Sequence, residues 1–500
     1  MRYSNILFMI LCFQIIMTFS VYSSDHSQEE NTALIFKLRS ASDIEKTETE
    51  LQKHIYNIIE KNNYSKQTVN IKPFFKNSKK QKMTVKDQII FNYEKMLLYK
   101  IILPKFLSNT IKKMLSENDN ILYIEENIKY VYPLVINRSD TRSLSESNIS
   151  FQYYHNKLDV KTSWQYSKGS KILIAVLDTG IDSMHSVINE RLFHNTLEIP
   201  DNNIDDDVNG YIDDFAGYDF VDASDGAEGQ DTMIQDNDPS DTSGHGTAVS
   251  SLIAGGQSAS GLSIGISPES QILNIRVAYT DQWGNVTLEA DDIIEAVYYA
   301  VDMGADIINM SWGGYFDSQA VHDVLSYASQ AGCVLVASSG NESTDCPIYP
   351  ASYSEVISIG AIGINDEIAF FSNYGEYVDF FAPGTDIIAA KMGGGTKTVN
   401  GTSYASAVTS GVIAELKSVH PEENKFDLFR LISHHNDENQ IQTNLPSIPH
   451  MMCNMKNNYI LNNFDYDKDG EITIIDVMYF ENDMVKKYWN YLSKICNYSN

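Results

Sequence analysis

Between Phe151 and about His435, short apolar runs alternate with stretches of helical spacing, and this constrains the fold more than any other feature. In order they read KILIAVLDTG, GTAVSSLIAGG, QILNIRVA, ADDIIEAVYYAVDMG, ADIINMSWGG, VLVASSGN, VISIGAIG and SYASAVTSGVIAELKSVH. A run such as ILIAVL is apolar on both of its faces, so the strand it forms must be covered on both sides. Strands of that kind, joined through helices, make a mostly parallel sheet, which predicts a doubly wound α/β domain over residues 151–436. In such a domain the reactive side chains stand at strand ends and in the loops beyond them.

The flanks have a different character. Residues 1–24 place one Arg ahead of an apolar run that gives way to small polar residues, which is how a secretory signal reads. No later stretch reaches the roughly 20 apolar residues of a membrane span. Residues 31–136 hold strand-like runs at ALIFKL, MLLYKIIL and ILYIEENIKYVY, with helical spacing in LPKFLSNTIKKMLSEN, which predicts a small α+β unit. Residues 137–150 are polar and without period, an exposed linker open to cleavage. A second polar linker, 437–452, leads to a tail over 453–500. With 500 residues, 43% of them hydrophobic, the chain is too long for one small binding module.

Charge separates the same regions. The net charge is −29, yet residues 31–136 carry 18 Lys or Arg against 11 Asp or Glu. A basic leading segment and an acidic body are expected to bind each other. The acidic body would repel phosphate, which argues against nucleic acid as a partner.

Three segments of the α/β region carry chemistry: AVLDTGID around Asp178, SGHGTAVSSLIAG around His245 and NGTSYASAV around Ser403. A serine hydroxyl is a poor nucleophile until an imidazole takes its proton, and the imidazole must be held by a buried carboxylate. With these flanks the chain order Asp, His, Ser resembles the subtilisin-like serine protease family. So do IYPASYSEVISIGAI and FSNYGEYVDFFAPGTDI further on. The resemblance covers about residues 150–435, and the segment before it, down to YIEENIKYVY, resembles the inhibitory prodomain of that family.

The resemblance implies a secreted endopeptidase made as a self-processing precursor, with Asp178, His245 and Ser403 as triad and Asn341 as oxyanion donor. It implies that the backbone of Ser311, Trp312 and Gly313, with Gly340, binds an extended peptide. Substrates would be polypeptides, and the precursor's own leading segment would be an intramolecular inhibitor. Two positions depart from the family pattern: Tyr404 replaces the usual Met and Ala407 the usual Pro. Neither removes a reacting group. Ala248 stands where many relatives have a second His, outside the triad.

Between Asp201 and Thr242 there are 14 Asp or Glu and no Lys or Arg, a density that calls for a bound cation. Asp205, Asp207, Asn209, the Tyr211 carbonyl and Asp213 or Asp214 have the spacing of the first positions of an EF-hand loop, with Gly210 at the turn. The tail repeats the pattern with Asp465, Asp467, Asp469, the Glu471 carbonyl and Asp476, around Gly470. Its final Asp, where EF-hands prefer Glu, makes this resemble half of a dockerin repeat, for which a cohesin-like protein would be the partner. Calcium is the cofactor both loops imply.

Removing Cys12 with the signal leaves Cys333, Cys346, Cys453 and Cys496, which allow two disulfides in three connectivities. The pairing 333–346 with 453–496 keeps each bridge within one segment. Eight N-x-S/T sequons occur, at Asn63, Asn137, Asn148, Asn285, Asn309, Asn341, Asn400 and Asn497. Those at Asn309, Asn341 and Asn400 fall inside the expected site, where a glycan would block substrate. Two other functions fit the residues: a catalytically silent protease-shaped binding protein, and a calcium-dependent adhesion protein acting through the tail.

Overall fold

The computed structural model describes residues 31–38, 53, 55, 70–73, 98–132, 152–259, 261, 264–419 and 421. The expected signal, both linkers, the tail with its calcium loop, Cys453 and Cys496, and the sequons at Asn63, Asn137, Asn148 and Asn497 lie outside the described residues.

The leading segment is a four-stranded antiparallel sheet of β1 (Asn31–Leu38), β2 (Asn70–Pro73), β3 (Leu98–Pro104) and β4 (Ile121–Glu126), in the order β2-β3-β1-β4. Helix α1 (Lys105–Ser116) covers one face. Alternation along β1 decides what goes where: Leu34, Phe36 and Leu38 join Ile111 and Leu115 of α1 in a small core. Ile35, between them, points the other way and belongs to the core of the following domain. After β4 the chain continues as β5 (Lys129–Val131), which leaves this sheet.

Two short helices, α2 (Tyr153–Lys157) and α3 (Val160–Ser163), lead into the larger domain. Its sheet contains β6 (Leu173–Asp178), β7 (Tyr218–Asp219), β8 (Gln271–Arg276), β11 (Ile307–Met310), β12 (Val334–Ser338), β13 (Val356–Ile362) and β14 (Phe380–Pro383). The order is β14-β13-β12-β11-β6-β8-β7, with every pairing parallel. Strand order reverses at β6, so the crevice beyond its carboxyl end is where an open α/β sheet offers a site.

Both faces of this sheet are covered, as the unbroken apolar runs require. Ile174 and Val176 pack with Val249 and Leu252 of α4 (His245–Ala254) and with Val408 and Val412 of α7 (Thr402–Val419). Leu173, Ala175 and Leu177 pack with Ile293 and Val297 of α5 (Ala290–Asp302) and Val321 and Leu325 of α6 (Gln319–Gln330). Each large aliphatic side chain buried this way contributes about 1.5–3 kcal/mol. Two small hairpins complete the domain, β9 (Ala278–Thr280) with β10 (Val286–Glu289) and β15 (Ile387–Ala390) with β16 (Thr396–Val399). No helix among the described residues is long and apolar enough to cross a membrane.

The bridge between Cys333 and Cys346 is not formed, a correction to the expected pairing. Cys333 directly precedes β12, and Cys346 lies in the loop eight residues beyond its end. Cys333 is buried, and its thiol donates to the Ala305 carbonyl at 3.0 Å.

Candidate active site

Asp178 ends β6, His245 opens α4, and Ser403 lies in the first turn of α7. The sheet thus brings together groups 67 and 158 residues apart in the sequence. His245 donates from Nδ1 to Asp178 Oδ1 at 2.8 Å, with Oδ2 at 3.1 Å. That contact fixes the tautomer and leaves Nε2 with a lone pair facing the crevice. Asp178 is 1% exposed and also accepts from the Thr179 N–H at 2.7 Å.

The close approach of β6 and α4 depends on two glycines. A Cβ on Gly246 would stand 2.2 Å from the Gly180 carbonyl, and Gly180 adopts φ +94° with a Cβ position 2.4 Å from the Pro239 carbonyl. Asp241, read from the sequence only as one of many acids, holds this corner. It accepts from the N–H groups of Ser243, Gly244 and Thr247 and from Thr179 Oγ1, which itself accepts from Gly246 N–H. Its signal was its place four residues before the histidine, in a turn that must present successive N–H groups to one carboxylate.

Ser403 Oγ donates to the Ser311 carbonyl at 3.0 Å, and Ser311 Oγ donates back to the Ser403 carbonyl at 3.0 Å. The hydroxyl therefore rests on β11's continuation, in the cavity that His245 also lines. Asn341 accepts from Thr402 N–H and Thr402 Oγ1 through Oδ1, both at 2.9 Å. This turns its NH₂ away from α7, toward a cavity of about 400 Å³ lined by His245, Asn341, Ser403, Tyr404, Lys397 and Tyr132 among others. The Ser403 N–H belongs to the first turn of α7, where no preceding carbonyl is available to it and the helix dipole favours negative charge.

Of the expected peptide-binding residues, Trp312 is a core residue, fully buried with Nε1 donating to the Leu177 carbonyl at 3.0 Å. Gly313 and Gly340 lie where side chains would collide with Ile348 and Asn373. The extended segment that the crevice holds is the chain's own. β5 pairs antiparallel with β10, matching Tyr130 with Leu288 and Val131 with Thr287, and Tyr132 N–H donates to the Val286 carbonyl at 2.9 Å. Tyr132 sets its ring edge-on to His245, centroids 4.7 Å apart, and Tyr130 lies against Trp312 at 5.6 Å. β10 escaped the sequence reading because its four residues run directly into the helical spacing of α5.

Tyr404 is buried with its ring 5.6 Å from that of His245, and Ala407 is fully buried beneath it. Asn309 is fully buried, so its sequon is closed to a glycan. Asn341 and Asn400 both line the cavity.

The acidic loop gathers only some of its expected ligands. Carboxylate oxygens of Asp205 and Asp207 lie within 4.8 Å of one another and of Glu198, a residue outside the EF-hand-like spacing. Glu198 is 4% exposed and its Oε2 has no hydrogen-bond partner. An orphaned carboxylate oxygen aimed at two more acids fits a hard cation. Asp205 also accepts from the N–H groups of Asn209 and Gly210. Asp213 instead accepts from the N–H groups of Asn202 and Asn203, while Asp214, pushed up to about 6 by burial, accepts from Asn195 and Asn209. Asn209 Oδ1 accepts from the Tyr211 N–H, and the Tyr211 side chain enters the core.

The profile described as the subtilase family matches residues 169–447. A thermophilic serine proteinase of Bacillus sp. (strain AK1) is 33% identical over 62% of this chain and 66% of its own length. An intracellular serine protease of Paenibacillus polymyxa is 32% identical over 51% of this chain and 69% of its own. Thermitase of Thermoactinomyces vulgaris is 31% identical over 54% and 83%.

Proposed function

The chain belongs to the subtilase family, and on that premise we propose that it is a secreted serine endopeptidase, made as a self-inhibited precursor and stabilised by calcium. The observation that carries this reading is the strand pairing of β5 with β10, which lays the leading segment across the crevice with Tyr132 against His245.

In the proposed reaction Ser403 Oγ attacks the scissile carbonyl as His245 Nε2 takes its proton. Asp178 keeps the imidazole oriented and stabilises the imidazolium. The oxyanion receives the Asn341 NH₂ and the Ser403 N–H. His245 then protonates the leaving amine, and water releases the acyl group by the same steps. Substrate polypeptide would replace β5 alongside β10. Calcium would be held by Glu198, Asp205 and Asp207, tying the acidic loop against β8, where it would neutralise like charges.

The test is expression of the full precursor beside Ser403→Ala, each with calcium and with chelator. The wild type is expected to shed its leading segment and digest casein only with calcium, and the variant to stay whole. One observation favours a second reading, a protease-shaped binding protein: Ser403 Oγ is bonded to Ser311 rather than to His245. Covalent labelling by a fluorophosphonate requires an activated serine, so absence of labelling on a chain freed of its leading segment would establish that alternative.

A further inference from the structure

Lys100 lies on β3 of the leading segment, yet its ammonium is buried against the larger domain, with the residue 2% exposed. It donates to Asp222 at 3.0 and 3.3 Å and is paired with Asp291. A third carboxylate faces the same point. Oxygens of Asp222, Asp291 and Asp292 all lie within 4.8 Å of one another. Asp292 is 1% exposed, and neither of its oxygens has a hydrogen-bond partner.

Burial works against the Lys100 charge, but Asp291, Asp222 and Asp292 more than offset it and hold the ammonium well above its ordinary range. One ammonium faces three carboxyl groups, two of them in the first turn of α5, and burial, with Asp291 and Asp222 beside it, pushes the Asp292 carboxyl well above its ordinary range. A buried carboxylate without a partner is costly. Three carboxylates converging on one point form the hard oxygen set that a divalent cation of the calcium kind takes, with water completing the shell.

We propose that Asp222, Asp291 and Asp292 form a divalent-cation site of the larger domain, which Lys100 plugs in the precursor and which calcium occupies once the leading segment leaves. This rests on the reading that the segment is shed. The site shares no residue with Glu198, Asp205 and Asp207. Because ammonium and metal exclude each other, calcium weakens the hold of the leading segment by the factor by which that segment weakens calcium binding. Calcium thereby assists release of the inhibitor.

The experiment uses the full-length chain carrying Ser403→Ala, so that cleavage plays no part, and titrates calcium by calorimetry and terbium by luminescence. Adding Lys100→Ala is expected to raise the ions bound by about one per chain. Asp292→Asn in that background should abolish the extra ion, and Asp292→Asn with Lys100 intact should leave the count unchanged. Equal counts with and without Lys100 overturn the proposal. If Lys100→Ala fails to fold by circular dichroism, Lys100→Met keeps the packed stem and removes the charge. The wild-type count before and after shedding decides the matter should both variants fail: no gain overturns it. A chain that gains the ion but never sheds its leading segment would sink the zymogen reading and leave the site standing.

Discussion

The corner that holds Asp178, His245 and Ser403 and the face where α5 and α6 begin are both polar and largely buried, but they are completed from different sources. At the corner the larger domain supplies hydrogen-bond partners through Thr179, Asp241, Ser311 and Thr402, and the leading segment adds Tyr132, whose ring stands edge-on to His245. At the face, Glu125 accepts from the N–H groups of Gln319 and Ala320 at the start of α6. Asn127 accepts from Asp291 N–H at the start of α5, which has no side-chain cap of its own. Lys100 and Lys129 meet the carboxylates there. The reacting groups are held mainly by their own domain, whereas the starts of α5 and α6 borrow hydrogen-bonding groups from the leading segment. Damage at the corner should therefore stop turnover and spare assembly, and damage at the face should do the reverse.

The largest expected effect tests the first half of that contrast. Ser403→Ala should lower kcat by about 10⁴–10⁶ and leave the thermal midpoint of the precursor within a degree or two, since the lost hydroxyl makes one hydrogen bond. A large drop in midpoint would mean that the corner also supports the fold. Asn341→Ala should follow at about 10²–10³ in kcat with KM little changed if, as proposed, its NH₂ meets charge that develops only in the transition state. An equal rise in KM would assign Asn341 to substrate binding instead.

The second half is tested by Glu125→Ala with Asn127→Ala. Each removes a helix cap, for which about 0.5–2 kcal/mol is typical. Shedding of the leading segment should accelerate by roughly tenfold or more per 1.4 kcal/mol lost, while the shed enzyme keeps wild-type kcat. A kcat change in the shed enzyme would mean that the capping face also supports the corner.

What could be read in advance follows the same division. The larger domain was legible because burial on both faces forces unbroken apolar runs, so β6, β12 and β13 stand out of the sequence. The grouping of Asp178, His245 and Ser403 was legible because each is flanked by the glycines or small residues that its close packing demands. Groups that act through the third dimension were not. Glu198 joins Asp205 and Asp207 from seven residues upstream, outside any ligand spacing. The run from Ile121 to Tyr132 reads as one strand, yet it is two, parted where Asn127 turns to cap α5. No periodicity in a chain announces a residue whose partner lies 164 positions away.

The smallest effect is a pH dependence, and its sign separates the two regions once more. Burial outweighs the hydrogen bonds from Ser318, Ala320 and Gln319 and raises the Glu125 carboxyl above its ordinary range in the docked segment. Undocked and solvated, Glu125 would titrate near the ordinary value. The docked state therefore binds a proton more readily, and docking must weaken as pH rises from the ordinary range through the raised one, then level off. In the Ser403→Ala chain, hydrogen exchange at the first-turn amides of α6, corrected for intrinsic rate, should lose protection across that window. Glu125→Gln should flatten the loss, since an amide cannot titrate. Amides at the start of α7, beside Ser403, should show no such trend in either chain, because no group of the leading segment caps them. If the α7 amides follow the α6 amides with pH, the corner is not held mainly by its own domain, and the distinction between the two regions fails.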